Sequence, residues 1–351
     1  MSTNAYYSPE GHGPYDLISI GDLDLEGGGR IGDCHLAVAT HGTLNAAKDN
    51  AILFLTWYSG TSKILEQVYI GEGRALDPSK YFIIIVNQIG NGLSTSPHNS
   101  PGPQSGPHFP RVHIGDDVRA QYKLLTEIFQ INRLALVIGG SMGAQQTYEW
   151  IVRYPDFVQR AAAIAGTAKF TERNILLLDA LAEAITSDLG FRDGHYGSPA
   201  DVAAGLKRHA ELWTLCGWSD AFFRAGRHRA FGFETVRAFV DHFMTGYFAP
   251  MDPNALLLMG WKAQHADVSR LAGMDLAAAL GRIKAKTFVI PISHDTIFPV
   301  ADCAAEQVLI AGSELRTLES IDGHLGLFGA DTALLSQLDA NLNELLNHSP
   351  T

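Results

Sequence analysis

Residues 134–146, LALVIGGSMGAQQ, constrain the fold more than any other stretch of this chain. A short apolar run, of the kind expected from a strand buried on both faces, enters a Gly-x-Ser-x-Gly turn. AQQTYEWIVRY then continues as a helix pattern that stops before Pro155. A strand that turns this sharply into a helix needs Gly139 and Gly143, and it lifts the Ser141 hydroxyl above the sheet.

Other short apolar runs repeat the strand signature: AILFLT (51–56), YFIIIV (81–86) and TFVIPI (287–292). Between them lie helical patterns such as DDVRAQYKLLTEIF (116–129), in which Val118, Tyr122, Leu125 and Phe129 recur every three or four residues. This alternation predicts an α/β chain with a mainly parallel sheet flanked by helices. Near the start, LISIGDLDLEGGGRIGDCHLAVATHG alternates apolar and polar residues around Gly27, Gly28 and Gly29, which predicts an antiparallel hairpin at one edge.

Two segments interrupt the alternation. Residues 87–113 are rich in Gly, Pro, Ser and Asn and are too long for a plain connector, which marks them as a loop able to shape a binding site. Residues 170–275 hold helical patterns, Trp and Phe but no buried strand pattern, and read as an inserted helical cap. The expected organisation is therefore a first core segment (1–169), the cap (170–275) and a second core segment (276–351).

Composition narrows the partners. The chain has 351 residues, 46% hydrophobic and 18% charged, a balance that supports a sizeable core. Its net charge of −11, without a cluster of Lys or Arg, argues against nucleic acid and anionic membrane surfaces. Three cysteines, Cys34, Cys216 and Cys303, match neither a zinc ribbon nor a disulfide framework and are expected as free thiols. No apolar stretch approaches the ~18 residues of a membrane span, and the opening residues lack a basic segment followed by an apolar one. A cytoplasmic protein is expected.

A serine hydroxyl becomes nucleophilic when a histidine, oriented by a carboxylate, takes its proton. In a sheet of this kind the partners follow the serine in the order acid, then base, each in a loop after a later strand. Asp295 lies just past the buried run TFVIPI, and His324 just past the last strand pattern, in LRTLESIDGHLGLFG. Asp322 is a weaker candidate acid because it sits two residues from His324 on the same loop, and Asp302 falls further into the following helix. The developing oxyanion needs two backbone N–H donors. Met142 supplies the first and Tyr58, in the WYSG segment after AILFLT, the second, with Trp57 as the neighbouring candidate.

No metal or cofactor is expected. There is no His-Glu-x-x-His, and Asp116, Asp117, His228 and His242 lack a ligand spacing. Asp116 is better read as a helix cap. The glycine clusters at 27–29 and 71–73 lack the strand-to-helix context of a dinucleotide site.

Several runs together, GGSMGAQQTYEWIVRYPD, GEGRALDPSKYFIIIVN, DTIFP and DGH, make the chain resemble the homoserine O-acetyltransferase family of α/β-hydrolase-fold enzymes along nearly its whole length. The resemblance implies an α/β-hydrolase fold, a helical cap that often mediates a homodimer, and transfer of an acyl group through a serine. Matching positions put the family's nucleophile on Ser141, its acid on Asp295, its base on His324 and its oxyanion donors on Tyr58 and Met142. Two acceptor-binding positions depart from the pattern. An aspartate that helps hold the homoserine amino group is replaced by Leu325, and an arginine for the carboxylate aligns with Trp261. Some relatives in this family hydrolyse simple acetate esters, and these apolar replacements suit an uncharged substrate.

The sequence therefore predicts a serine carboxylic-ester hydrolase acting on small, short-chain acetate-type esters. The alternative is an acyl-CoA-dependent O-acyltransferase with an alcohol acceptor, which would use the same catalytic residues. A ligand-binding protein without catalysis has no use for a complete Ser, Asp and His set. The cap aromatics Trp213, Trp218, Phe222, Phe223, Phe243 and Trp261 are expected to wall an apolar pocket, and a homodimer through the cap is expected.

Overall fold

A computed structural model of the chain describes residues 4–348. Its centre is an eight-stranded sheet formed by β1 (Asp16–Asp24), β2 (Arg30–His41), β3 (Ala51–Leu55), β4 (Phe82–Val86), β5 (Leu136–Gly140), β6 (Arg160–Ile164), β7 (Lys286–Ile290) and β8 (Glu314–Leu315). The spatial order is β1-β2-β4-β3-β5-β6-β7-β8. The glycine-turn hairpin is present: β1 pairs antiparallel with β2, and β2 antiparallel with β4. From β4 to β8 every pairing is parallel.

Strands β3, β5 and β6 consist entirely of buried residues, as expected for parallel strands covered on both faces. Strand β6, RAAAI, does not stand out among the apolar runs because alanine favours helices. It is a strand because its small side chains fit between β5 and β7, beneath helices that pack closely on the sheet. Strand β8 has two residues, too few to show a pattern.

Helices α1 (Ser62–Tyr69), α2 (Ile114–Lys123) and α3 (Met142–Arg153) alternate with the strands as far as β6. Helix α2 starts where the His113 N–H donates to Asp116 Oδ2 at 2.8 Å, so Asp116 closes a capping box. The helix then widens into a π turn over Leu124–Ile128, which together cover nearly all of the expected 116–129. Between β6 and β7 the chain is helical, with α4 (Glu172–Thr186), α5 (Ala203–Gly217) and α6 (Pro253–Gln264) as its longest helices. A single antiparallel bridge, Lys169 to Asp267, closes the base of this region. Helices α7 (Val300–Gln307) and α8 (Thr332–Asn347) complete the flanks.

The helical region has a small core of its own. Trp218 stacks on Phe222 with ring centroids 4.3 Å apart, and Phe231, Phe239 and Phe243 close around them. These rings fill the helical region and border neither compartment beside Ser141. The 87–113 loop is also more structural than expected. Its Ser94 hydroxyl accepts the Ala37 N–H at 2.9 Å and donates to Asn87 O at 2.6 Å, while Thr95 exchanges bonds with His35, so the loop is laced onto β2. Several residues from 97–108 border a separate cavity of about 380 Å³ together with several from 194–199.

Candidate active site

Ser141 sits between the end of β5 and the start of α3 with φ 55° and ψ −121°, a conformation that costs a non-glycine residue about 1–3 kcal/mol. Its surroundings hold it there. The Ser141 N–H donates to Ile164 O on β6 at 2.8 Å, and its carbonyl accepts the N–H groups of Ala144 and Gln145. The glycines are required by contact. A Cβ on Gly139 would lie 2.3 Å from Gly143 O, and one on Gly143 would lie 2.5 Å from Leu55 O at the end of β3. Two strand ends and the first turn of a helix therefore touch at this corner.

His324 Nε2 stands 2.9 Å from Ser141 Oγ, and His324 Nδ1 stands 2.7 Å from Asp295 Oδ2. All three side chains are buried. The other Asp295 oxygen accepts the N–H groups of Ile297 and Phe298 at 2.8 and 2.9 Å. These bonds fix the carboxylate so that His324 presents Nδ1–H to the acid and leaves Nε2 free to accept the serine proton. The structure thus brings together the three residues read from the sequence, in the geometry needed to generate a serine nucleophile.

Met142 opens α3, where N–H groups lack an acceptor within the helix. The Tyr58 N–H takes no partner among the described residues. The segment that carries it is held firmly: Thr56 O accepts Gln88 Nε2 at 2.7 Å and Gln146 Nε2 at 3.0 Å. The Tyr58 side chain rises into the helical region and donates its hydroxyl to Leu256 O on α6 at 3.0 Å. Its ring lies 5.3 Å from that of Trp213.

Trp213 is tied in turn to His209, one turn earlier on α5. The Trp213 Nε1–H donates to His209 Nε2 at 3.1 Å, and His209 Nδ1 donates to Leu181 O at 2.9 Å. Burial pulls the His209 imidazole down to about 4, so it is neutral and has the one donor and one acceptor that these bonds require. The i, i+4 spacing of His209 and Trp213 was visible in the sequence, but nothing there distinguished this histidine from the other thirteen.

The DGH segment is explained residue by residue. Buried Asp322 accepts both Nε and Nη2 of Arg227, at 3.1 Å each, and so ties the helical region between β6 and β7 to the loop that carries His324. This pairing occupies Asp322, which leaves Asp295 as the partner of His324. Gly323 (φ 66°) passes so close to the cap that a Cβ would lie 3.0 Å from Gly217 O and Ser219 N. His324 follows. Arg227 carried no signal in the sequence.

Two small compartments flank Ser141, each with a cavity of about 20 Å³, room for about one water molecule. Ser141, Tyr58 and Trp213 border both. The first is completed by His324 with Trp57, Ser59, Leu325 and neighbouring apolar side chains. The second is completed by Met142, Gln145, Phe170, Leu177, Leu178 and nearby residues. Trp57 folds onto Gly60, where a Cβ would lie 2.3 Å from its Nε1, which explains the glycine in WYSG. Leu325 packs against Gly217 on α5 and borders the first compartment together with Ser141.

Trp261 is a correction. It borders neither compartment; its ring stacks on His265 with centroids 4.0 Å apart, beneath the Arg111 guanidinium at 5.1 Å and against His113. One residue along a helix rotates the side chain by about 100°. On α6 it is Gly260 that approaches Tyr58, and Ala263 that lines the second compartment.

Among the described residues, no group of three or more His, Cys, Asp or Glu side chains is arranged to hold a metal ion. No helix among them is long and apolar enough to cross a membrane.

Comparison with known proteins adds to this geometry. A family model described as "alpha/beta hydrolase fold" matches residues 54–328. The chain is 66% identical over 344 residues to an ethyl acetate hydrolase of Pseudomonas veronii, covering 98% of this chain and 99% of that one. A solved structure of an acetylester hydrolase from Corynebacterium glutamicum superposes with a TM-score of 0.98 at 55% identity, over 99% of this chain and all of that one. A homoserine O-acetyltransferase of Thermobifida fusca is 30% identical over 92% of this chain and 91% of its own length.

Proposed function

This chain belongs to the α/β-hydrolase fold family, and within it we propose a serine esterase that hydrolyses small, short-chain acetate-type esters. The observation that carries the reading is the 2.9 and 2.7 Å relay from Ser141 through His324 to Asp295, set between two compartments of about 20 Å³. Relatives at 66% and 56% identity with ester-hydrolase or esterase names support the same substrate class.

In this reading His324 takes the Ser141 proton as Oγ bonds to the ester carbonyl carbon, and the Tyr58 and Met142 N–H groups hold the oxyanion. Collapse breaks the bond to the alcohol oxygen, which receives the proton from His324. Water then loses a proton to His324 and attacks the acyl-serine, releasing the acid and restoring Ser141. The acyltransferase alternative has less support. Leu325 gives an amino-acid acceptor no charge partner, and leaving one charge of a buried pair unmatched costs about 3–5 kcal/mol.

We read residues 170–275 as the cap over a core made of 1–169 and 276–351. A shallow apolar groove on the outer face of the helical region, lined by Leu215, Phe223, Val236 and Val240, fits a homodimer through the cap. Cys34, Cys216 and Cys303 are free thiols, which fits a cytoplasmic enzyme.

The test is a side-by-side assay of purified protein with ethyl acetate and with acetyl-CoA plus homoserine. Faster release of acetate from the ester is expected; faster formation of O-acetylhomoserine would reverse the ranking.

A further inference from the structure

Two adjacent glutamines on α3 have opposite surroundings. Gln146 is fully engaged: its Oε1 accepts Gln121 Nε2 at 2.8 Å and its Nε2 donates to Thr56 O at 3.0 Å. Gln145 is 2% exposed, yet neither its Oε1 nor its Nε2 has a hydrogen-bond partner among the described residues. A buried amide left unpaired is expensive, whereas an apolar side chain of similar length would fit the same surroundings at no such cost. Those surroundings are the second compartment, otherwise walled here by Phe170, Leu177, Leu178, Ile297 and Phe298. Gln145 stands one helical turn beyond Ser141, and its N–H donates to Ser141 O at 3.2 Å.

The chemistry of the relay assigns the two compartments. His324 must deliver a proton to the departing alcohol and take one from the incoming water, so both must lie on its side, in the compartment that it borders. The acyl chain then occupies the other one, beside Met142 and Gln145. We propose that the Gln145 amide makes this the pocket for a short acyl group bearing a hydroxyl next to the carbonyl, so that the enzyme takes 2-hydroxyacyl esters of the glycolate type as well as simple acetates. A hydroxyl is both donor and acceptor and so satisfies Oε1 and Nε2 of one amide. The small volume of the compartment excludes a long acyl chain. The inference rests on the esterase reading above.

The reaction is balanced without a further reactant. Ser141 Oγ bonds to the glycolyl carbonyl carbon, the bond to the alcohol oxygen breaks, and the serine proton reaches that oxygen through His324. Water then supplies the hydroxyl that converts the glycolyl-serine to glycolic acid, and its other proton returns to Ser141 Oγ.

Ethyl glycolate and ethyl propionate are nearly isosteric, differing by a hydroxyl in place of a methyl. Intrinsic reactivity separates them, so the informative quantity is how their kcat/KM ratio changes between the wild type and Gln145→Met, which keeps the side-chain length and removes both polar atoms. Loss of one hydrogen bond predicts that the glycolate-to-propionate ratio falls about fivefold or more in the variant. A folded variant whose ratio changes less than that overturns the proposal and leaves Gln145 as a side chain satisfied by buried water. Gln145→Leu, read in the same way, replaces the Met variant if that one does not fold. If the wild type hydrolyses none of ethyl acetate, glycolate and propionate, the esterase reading itself fails; if it hydrolyses them and the ratio holds, only this inference fails.

Discussion

The two halves of the site are built in different ways. The core half, made of Ser141, Met142, Asp295 and His324, rests on main-chain geometry: strand ends, a helix start and glycines that let backbones touch. The cap half, made of Tyr58's anchor on Leu256, the Trp213 ring beside Tyr58, Arg227 on Asp322 and the wall that Phe170, Leu177 and Leu178 build opposite Gln145, rests on side chains that meet across long sequence separations. The difference teaches where chemistry and selectivity reside. In the proposed reading the core half supplies the acyl-transfer chemistry, whereas the cap half sets how firmly the Tyr58 segment is held and which groups fit beside Ser141.

The comparison is most exposed to failure at Asp295. Asp295→Asn should lower kcat for ethyl acetate by about 10³–10⁴ with little change in KM, because an amide no longer fixes the His324 tautomer. A loss under about tenfold would transfer the role to another carboxylate. On the cap side, Arg227→Met leaves Asp322 buried without its partner and should reduce unfolding free energy in urea by about 3–4 kcal/mol. Replacing Asp322 by Asn in the same chain should recover part of that loss; an unchanged urea midpoint for Arg227→Met would show that the pair does not dock the cap.

His209 sharpens the contrast through pH. Its folded-state value is pulled from the ordinary 6.5 to about 4 by burial, so the neutral ring contributes stability that is complete above pH 6.5 and is lost as pH falls towards 4. The wild type should lose about 2–3 kcal/mol of unfolding free energy over that window from this group, and His209→Gln should show a correspondingly flatter acid limb. Equal slopes in the two proteins would count against a neutral, buried His209. The smallest effect is expected from Tyr58→Phe, which removes the hydroxyl bond to Leu256 O at 3.0 Å and the longer contact with His209 Nε2 at 3.4 Å. A fall in kcat of about tenfold at nearly constant KM is expected as the oxyanion N–H loosens. A change confined to KM would place Tyr58 in substrate binding alone.

Legibility in the sequence followed the same division. The elbow and Asp295 could be read because each lies at the end of a short apolar run, and His324 because it follows both in the order that the topology requires. Strand β6 was hidden because three alanines carry no strand signal. Trp261 borders neither compartment, because on α6 the direction of a side chain changes with each residue and the sequence does not show which face meets Ser141. Fourteen histidines made His209 anonymous, and the pair Gln145-Gln146 reads as two equal polar residues until the fold gives one of them partners and the other none.

The central claim is that Ser141 carries the acyl group, and its most direct test is ethyl acetate turnover by Ser141→Ala beside the wild type. A fall in kcat of about 10⁴ or more with an unchanged melting temperature is predicted. Turnover within about tenfold of the wild type would contradict the account.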